Sequence, residues 1–163
     1  MASGDTLLSF VPQSGEAPAT NFAALDARNI HPVRDFAIGA QIMFSGVMPR
    51  HYDGGGITIY IHYAMSTATT NDIAMESSIE RIGDQQQDLD SDGFAAAQTS
   101  GDVTVPGTSG LVDILSSNTH TSGAQMDSLA VGEGFRVLLE RIAVAGTDAS
   151  GDLELRFVEI KET

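Results

Sequence analysis

The chain has 163 residues, 8 basic against 22 acidic side chains and a net charge of −14, and is most simply one domain able to bury its own core. So acidic a surface repels phosphate backbones, which argues against nucleic acid as a partner. No apolar run reaches the roughly 18 residues of a membrane span, the first residues do not read as a signal peptide, and without cysteine there is no disulfide.

The first 35 residues differ in texture from the rest. Pro12, Pro18 and Pro32 are set among Ser, Gly, Ala and Asn. Apolar side chains come in two short clusters, Leu7, Leu8, Phe10 and Val11, then Phe22 and Leu25. The first has the length of an edge strand; the second is too short for a stable helix. Residues 1–35 are therefore expected to form an extended arm that places these six side chains against a neighbouring subunit or packs on its own domain, and residues 36–163 the folded domain. Gln41–Val47 is a strand candidate stopped by Pro49. After Gly54, Gly55 and Gly56 comes the cleanest alternation in the chain. Ile57, Ile59, Ile61, Tyr63 and Met65 fall on one face; Thr58, Tyr60, His62 and Ala64 fall on the other. This predicts a central, half-buried strand. Alternation resumes at 73–82, with Ile73, Met75, Ser77 and Ile79 inward and Asp72, Glu76, Ser78 and Glu80 towards solvent.

Residues 83–101 read as a polar loop with a turn of helix at 94–98. Val103–Val105 is a short edge piece, 110–116 a strand, 124–129 a helical turn, and 134–144 a strand with Phe135, Val137 and Leu139 on one side. Leu153, Leu155 and Phe157 keep step, and then Val158 and Ile160 change phase, which predicts a bulge or a strand buried on both faces. About eight short strands joined by Gly- and Asp-rich connections predict an all-β antiparallel sandwich. Without the cysteine pair and tryptophan of an immunoglobulin domain, a jelly roll is expected.

Asp88, Asp90 and Asp92 followed by Gly93 reproduce the first half of a calcium-binding loop, in which alternate oxygens wrap a hard cation. The closing glutamate is missing, since Thr99 stands in its place, and an acidic solvated turn fits the same residues. His31, His51, His62 and His120 lack metal-ligand spacing, although His51 and His62 lie across one turn. Gly54–Gly56 precedes a strand, not a helix N-terminus, and so is no phosphate loop. No acid–base–nucleophile set is legible, and an enzyme is not expected. His51, Tyr52, Asp53 and Tyr60, near one loop, form a candidate glycan-binding group.

Several stretches resemble a pattern found in small jelly-roll proteins of tailed bacteriophages. They are Phe44–Pro49 with Tyr52 and Gly54–Gly56, Glu80-Arg81 with Asp90–Phe94, Gln125–Leu129 with Gly132-Glu133 and Phe135-Arg136, and Gly151-Asp152 to Glu159. Arg28-Asn29, Pro32-Val33 and Asp35-Phe36 belong to the same pattern, which thus covers residues 28–163. The resemblance implies a virion component with no cofactor. The expected role is a capsid decoration or cement protein, a homotrimer that clamps the major capsid protein at the particle surface. A tail-associated module that binds a host glycan is the alternative.

Overall fold

The computed structural model describes residues 4–163. Its strands, in chain order, are β1 (Thr6–Phe10), β2 (Ala24–Arg28), β3 (His31–Phe36), β4 (Gln41–Val47), β5 (Ile57–Met65), β6 (Asp72–Ile82), β7 (Gln98–Thr99), β8 (Val103–Thr104), β9 (Asp113–His120), β10 (Gly134–Ile142) and β11 (Leu153–Glu162). Single 3₁₀ turns occupy Pro12–Ser14 and Ala124–Met126. One sheet has the order β2-β3-β11-β5-β9 and the other β4-β10-β6-β7, every pairing between these strands being antiparallel. From β3 onward the chain passes between the sheets in the sequence first, second, first, second, second, second, first, second, first. That alternation is a jelly roll of two Greek keys.

Period-two patterning builds the core as expected. Ile57, Ile59, Ile61, Tyr63 and Met65 of β5 face Met75 and Ile79 of β6 and Phe135, Val137 and Leu139 of β10, all buried. The same inward parity on β10 continues to Arg141, whose guanidinium is fully buried and donates to the carbonyls of Phe36 (3.0 Å), Gly151 (2.7 Å) and Ala149 (2.7 Å). The predicted phase change in β11 is a bulge between Leu155 and Phe157. One edge of β11 pairs with β5 over its whole length; the other is shared end to end, β3 taking Leu153–Leu155 and β1 taking Val158–Lys161. The bulge falls where the edge passes from β3 to β1.

This pairing corrects the expected division at residue 35. The N-terminal residues are part of the sandwich and not a separate arm. A ten-residue strand with one open edge leaves a row of N–H and C=O groups unpaired, and β1 and β3 satisfy them. Leu7 is buried, Leu8 and Phe10 pack against the core, and the Phe10 ring stacks on Phe44 with centroids 5.2 Å apart. Arg34 of β3 is buried and ties down the segment before it, with Nε donating to the Pro12 carbonyl (2.9 Å) and Nη1 to that of Ala23 (3.1 Å). Val11, Phe22 and Leu25 stay exposed.

Three smaller expectations also change. The strand expected at 110–116 lies at Asp113–His120, leaving Leu111 and Val112 exposed. Residues 94–98 are extended, not helical, and the Ala95 N–H donates to the Ile79 carbonyl at 2.8 Å. That return of the 83–98 loop covers the outer face of β6. Glu80 is therefore buried, held by Arg136 (Nε to Oε2, 2.7 Å), whose guanidinium sits over Phe94.

Candidate functional site

The outward residues of the first sheet gather charge that the rest of the chain lacks. Of the basic side chains, Arg34 and Arg141 are buried, and Arg81 and Arg136 are paired with Glu133 and Glu80. Arg50 stands in the loop before β5, and Arg28, Arg156 and Lys161, joined by His31 and His62, lie on or beside the outer faces of β3, β5 and β11, with Arg28 ion-paired to Glu154 and Lys161 to Glu159. Lys161 Nζ lies 4.7 Å above the Tyr60 ring. Arg28, His31, His62, Glu154 and Arg156 rim a cleft of about 330 Å³ whose floor is Val33, Ala64, Val112 and Phe157. Its size is that of a small ligand pocket or a side-chain socket.

The bulge in β11 makes this cleft. Strict alternation would send Phe157 inward with Leu153 and Leu155; the extra residue turns it out, to 39% exposure. His62 meets the Phe157 ring edge-on at 6.0 Å, and the Arg156 guanidinium lies 4.6 Å from its centroid. Arg156 Nη1 donates to the Pro32 carbonyl (2.9 Å), which ties β11 to β3. Arg28 is fixed by the Glu154 carboxylate (2.5 Å) and the Met65 carbonyl (3.0 Å). Gly110 lies against it at φ +78°, where a Cβ would stand 2.7 Å from Arg28 Nη2.

The residues singled out by sequence do not assemble elsewhere. Asp88 Oδ1 accepts the Asp90 N–H (3.0 Å), and the Asp92 carboxylate accepts the Asp88 N–H. Two of the three carboxylates thus serve the loop's own backbone, and among the described residues no three His, Cys, Asp or Glu side chains converge as a cation site. The candidate glycan group is also dispersed. Tyr52 is buried, its hydroxyl donating to the Gly55 carbonyl and lying 3.9 Å from the Met126 sulfur. The Asp53 N–H donates to Glu162 Oε1 (3.0 Å), His51 is exposed in the loop, and Tyr60 lies on the sheet face beneath Lys161. Gly56 has a steric role, since a Cβ there would stand 2.7 Å from the His120 carbonyl oxygen. His62 lines the cleft together with His31, and His51 does not. The one cue in the sequence was the phase change at Phe157.

A serine–histidine contact went unseen in the sequence. His120 Nδ1–H donates to the Gln125 carbonyl (3.1 Å), so Nε2 of the neutral ring is the acceptor 2.7 Å from Ser77 Oγ. Ser77 also meets Asn118 Oδ1, and the Asn118 amide nitrogen is fixed by the carbonyls of Met75 (3.3 Å) and Gln98 (3.0 Å). One hydroxyl proton therefore faces two acceptors. Ser77 and His120 are each 1% exposed, sealed between the sheets, so the pair offers nothing that a substrate reaches. Burial holds the imidazole below its ordinary pKa.

No family model and no curated protein matches the chain. Solved structures do. A family GH115 4-O-methyl-α-glucuronidase with specificity for decorated arabinogalactans aligns over 99% of this chain at 7% identity and a TM-score of 0.54, the chain spanning only 18% of that protein's length. The C-terminal CBM6 of the laminarinase LamC from Zobellia galactanivorans aligns over 97% of this chain and 100% of its own, at 12% identity and a TM-score of 0.46. Infectious bursal disease virus, Gt strain, aligns over 99% of this chain and 34% of its own, at 9% identity and a TM-score of 0.43. The likeness is one of fold.

Proposed function

We propose that this chain is a non-catalytic structural protein of a tailed-phage virion, a decoration protein that binds the major capsid protein at the outer surface of the shell as a homotrimer. The phage-like pattern of residues 28–163 and the jelly-roll strand order support the reading. The observation that carries it is an apolar flank left uncovered beside the N-terminal strands. Phe22, Leu25 and Ile38 are 41%, 52% and 50% exposed, and Phe22 and Ile38 line an open groove of about 430 Å³. Exposed apolar side chains around one groove mark an interaction surface. Each contributes about 1 kcal/mol if its remaining exposed area is covered, which is weak for one copy and strong for three linked copies. The glycan-binding alternative has less support, because Tyr52 belongs to the core and Tyr60 lies apart from His51 and Asp53.

The test is co-sedimentation of the protein with phage particles that lack it, followed by localisation on the particle. The expected result is binding at the head in many copies. Leu25→Asp and Ile38→Asp should each lose attachment while keeping the β circular dichroism spectrum. Attachment only at the tail, or attachment untouched by both substitutions, would overturn the reading.

A further inference from the structure

The Asp88–Asp92 loop is acidic, and the cleft on the first sheet carries Arg28, Arg156 and one carboxylate, Glu154. Leu89, at the tip of the loop, is 75% exposed. Among the described residues it is the one exposed large apolar side chain with an aspartate on each side, Asp88 and Asp90. The hydrogen bonds of Asp88 and Asp92 to backbone N–H groups hold the loop in a compact turn, and the Asp90 carboxylate has no hydrogen-bond partner among the described residues. The cleft offers the counterpart, an apolar floor with Arg156 at its rim, the guanidinium there that has no ion pair among the described residues, since Arg28 is held by Glu154. Arg156 uses only Nη1 within the fold, which leaves Nε and Nη2 as donors for a carboxylate.

Within one copy the two cannot meet. The loop leaves β6 at Ile82, beside Gly134, at the end of the sandwich where β5 begins. The cleft lies on the outer face of the other sheet, near Ala64 and Glu154, at the end where β5 finishes. Arg156 sits beside His62 and Tyr63, about 20 Å along β5 from Ile57, and both sheets, about 10 Å apart, stand between its outer face and β6. A loop that departs after Ile82 and returns at Ala95 reaches no more than about 20 Å from the strand. The contact must therefore join different copies, and because loop and cleft are different surfaces it is heterologous, the kind that closes into a ring or runs on as a filament.

We propose that copies of this chain associate head to tail, the Asp88–Asp92 loop of one seating Leu89 on the Val112–Phe157 floor of the next, with Asp90 paired to Arg156. That the ring closes at three rests on the decoration-protein reading above; the contact itself does not.

Sedimentation velocity on the full chain tests it. The wild type should run as a multiple of 17.1 kDa. Leu89→Glu, which spoils the loop, and Arg156→Glu, which spoils the cleft, should each run as the single chain. Mixed together, these two variants should form a dimer and nothing larger, because only one intact loop and one intact cleft remain between them. Asp90→Arg combined with Arg156→Asp should restore the wild-type mass. Leu89 is solvent-exposed, so its variant keeps the test valid should substitution of Arg156 disturb the fold. A wild type that is monomeric at high micromolar concentration would overturn the proposal and assign the cleft to a foreign ligand, a glycan or an acidic peptide. Oligomers that survive Leu89→Glu would overturn it too. Particle attachment is read separately. A protein that coats heads without forming rings refutes the contact alone, and one that forms rings yet never coats heads refutes the decoration reading alone.

Discussion

Two titratable side chains, the half-buried Asp35 and the buried His120, pull stability in opposite directions with pH. Asp35 is pushed up to about 6, first by burial and then by Asp26, Glu154 and Asp152 around it, and its Oδ1 has no hydrogen-bond partner. Its folded pKa lies above the unfolded value, so the native state binds the proton more tightly. Stability from this group is present at low pH and is lost as pH rises through about 6. Asp35→Asn should therefore stabilise the protein at neutral pH by about 1–2 kcal/mol, after allowance for the partial exposure of the site, with little effect at pH near 4. Urea unfolding at the two pH values checks this. His120 works the other way. Burial lowers its pKa, so below about 6.5 the unfolded chain takes up a proton that the native state refuses, and stability falls. His120→Gln should flatten that acid limb of the melting-temperature profile. Arg141 differs from both, since it holds three backbone carbonyls at once. Arg141→Met should cost at least about 3 kcal/mol in denaturant unfolding, because those buried acceptors lose a charged donor.

At the scale of elements, β11 is the hub. It pairs with β1, β3 and β5, and the chain's N- and C-terminal strands meet there. Removal of residues 1–30 should abolish cooperative thermal unfolding, where an independent arm would have left it intact. The truncation strips Val158–Lys161 of their β1 partners, takes Leu7 and Phe10 from the core, and removes the carbonyls of Pro12 and Ala23 that hold the buried Arg34. Loss of Leu7 alone is worth about 2–5 kcal/mol on the scale of large-to-small core substitutions, against a total of only about 5–15 for a domain. Melting followed by circular dichroism decides between the two outcomes.

Across the whole molecule, acidic charge and strand topology set what the surface does. The Asp88–Asp92 carboxylates are directed to their own backbone or to solvent, so millimolar calcium and chelator should give the same melting temperature. A cation bound selectively by the native state would raise it. Arg28, Arg156 and Lys161 stand with Phe157 on one sheet face, while the apolar side chains Phe22, Leu25 and Ile38 stand near the β2 margin. If both surfaces act as proposed, Arg156→Glu should weaken self-association and spare particle attachment, and Leu25→Asp should do the reverse.

The amino-acid sequence by itself determined the fold class, because period-two alternation is a local property. The inward faces of β5, β6 and β10, and the phase change that marks the bulge in β11, are written in consecutive residues. It also determined the net charge of −14. Only the tertiary structure decided that residues 6–36 belong to the sandwich, since what fixes them is the open edge of a strand more than 100 residues away, and their prolines and short apolar clusters carry no alternation of their own. The same holds for Glu80, Tyr52 and His120. Each looks like a surface residue beside its neighbours and is buried by a segment distant in the chain. The cleft is tertiary for the same reason. Its floor and rim come from β3, β5, β11 and the segment before β9, and side chains from separated strands meet only when backbone hydrogen bonding sets their register.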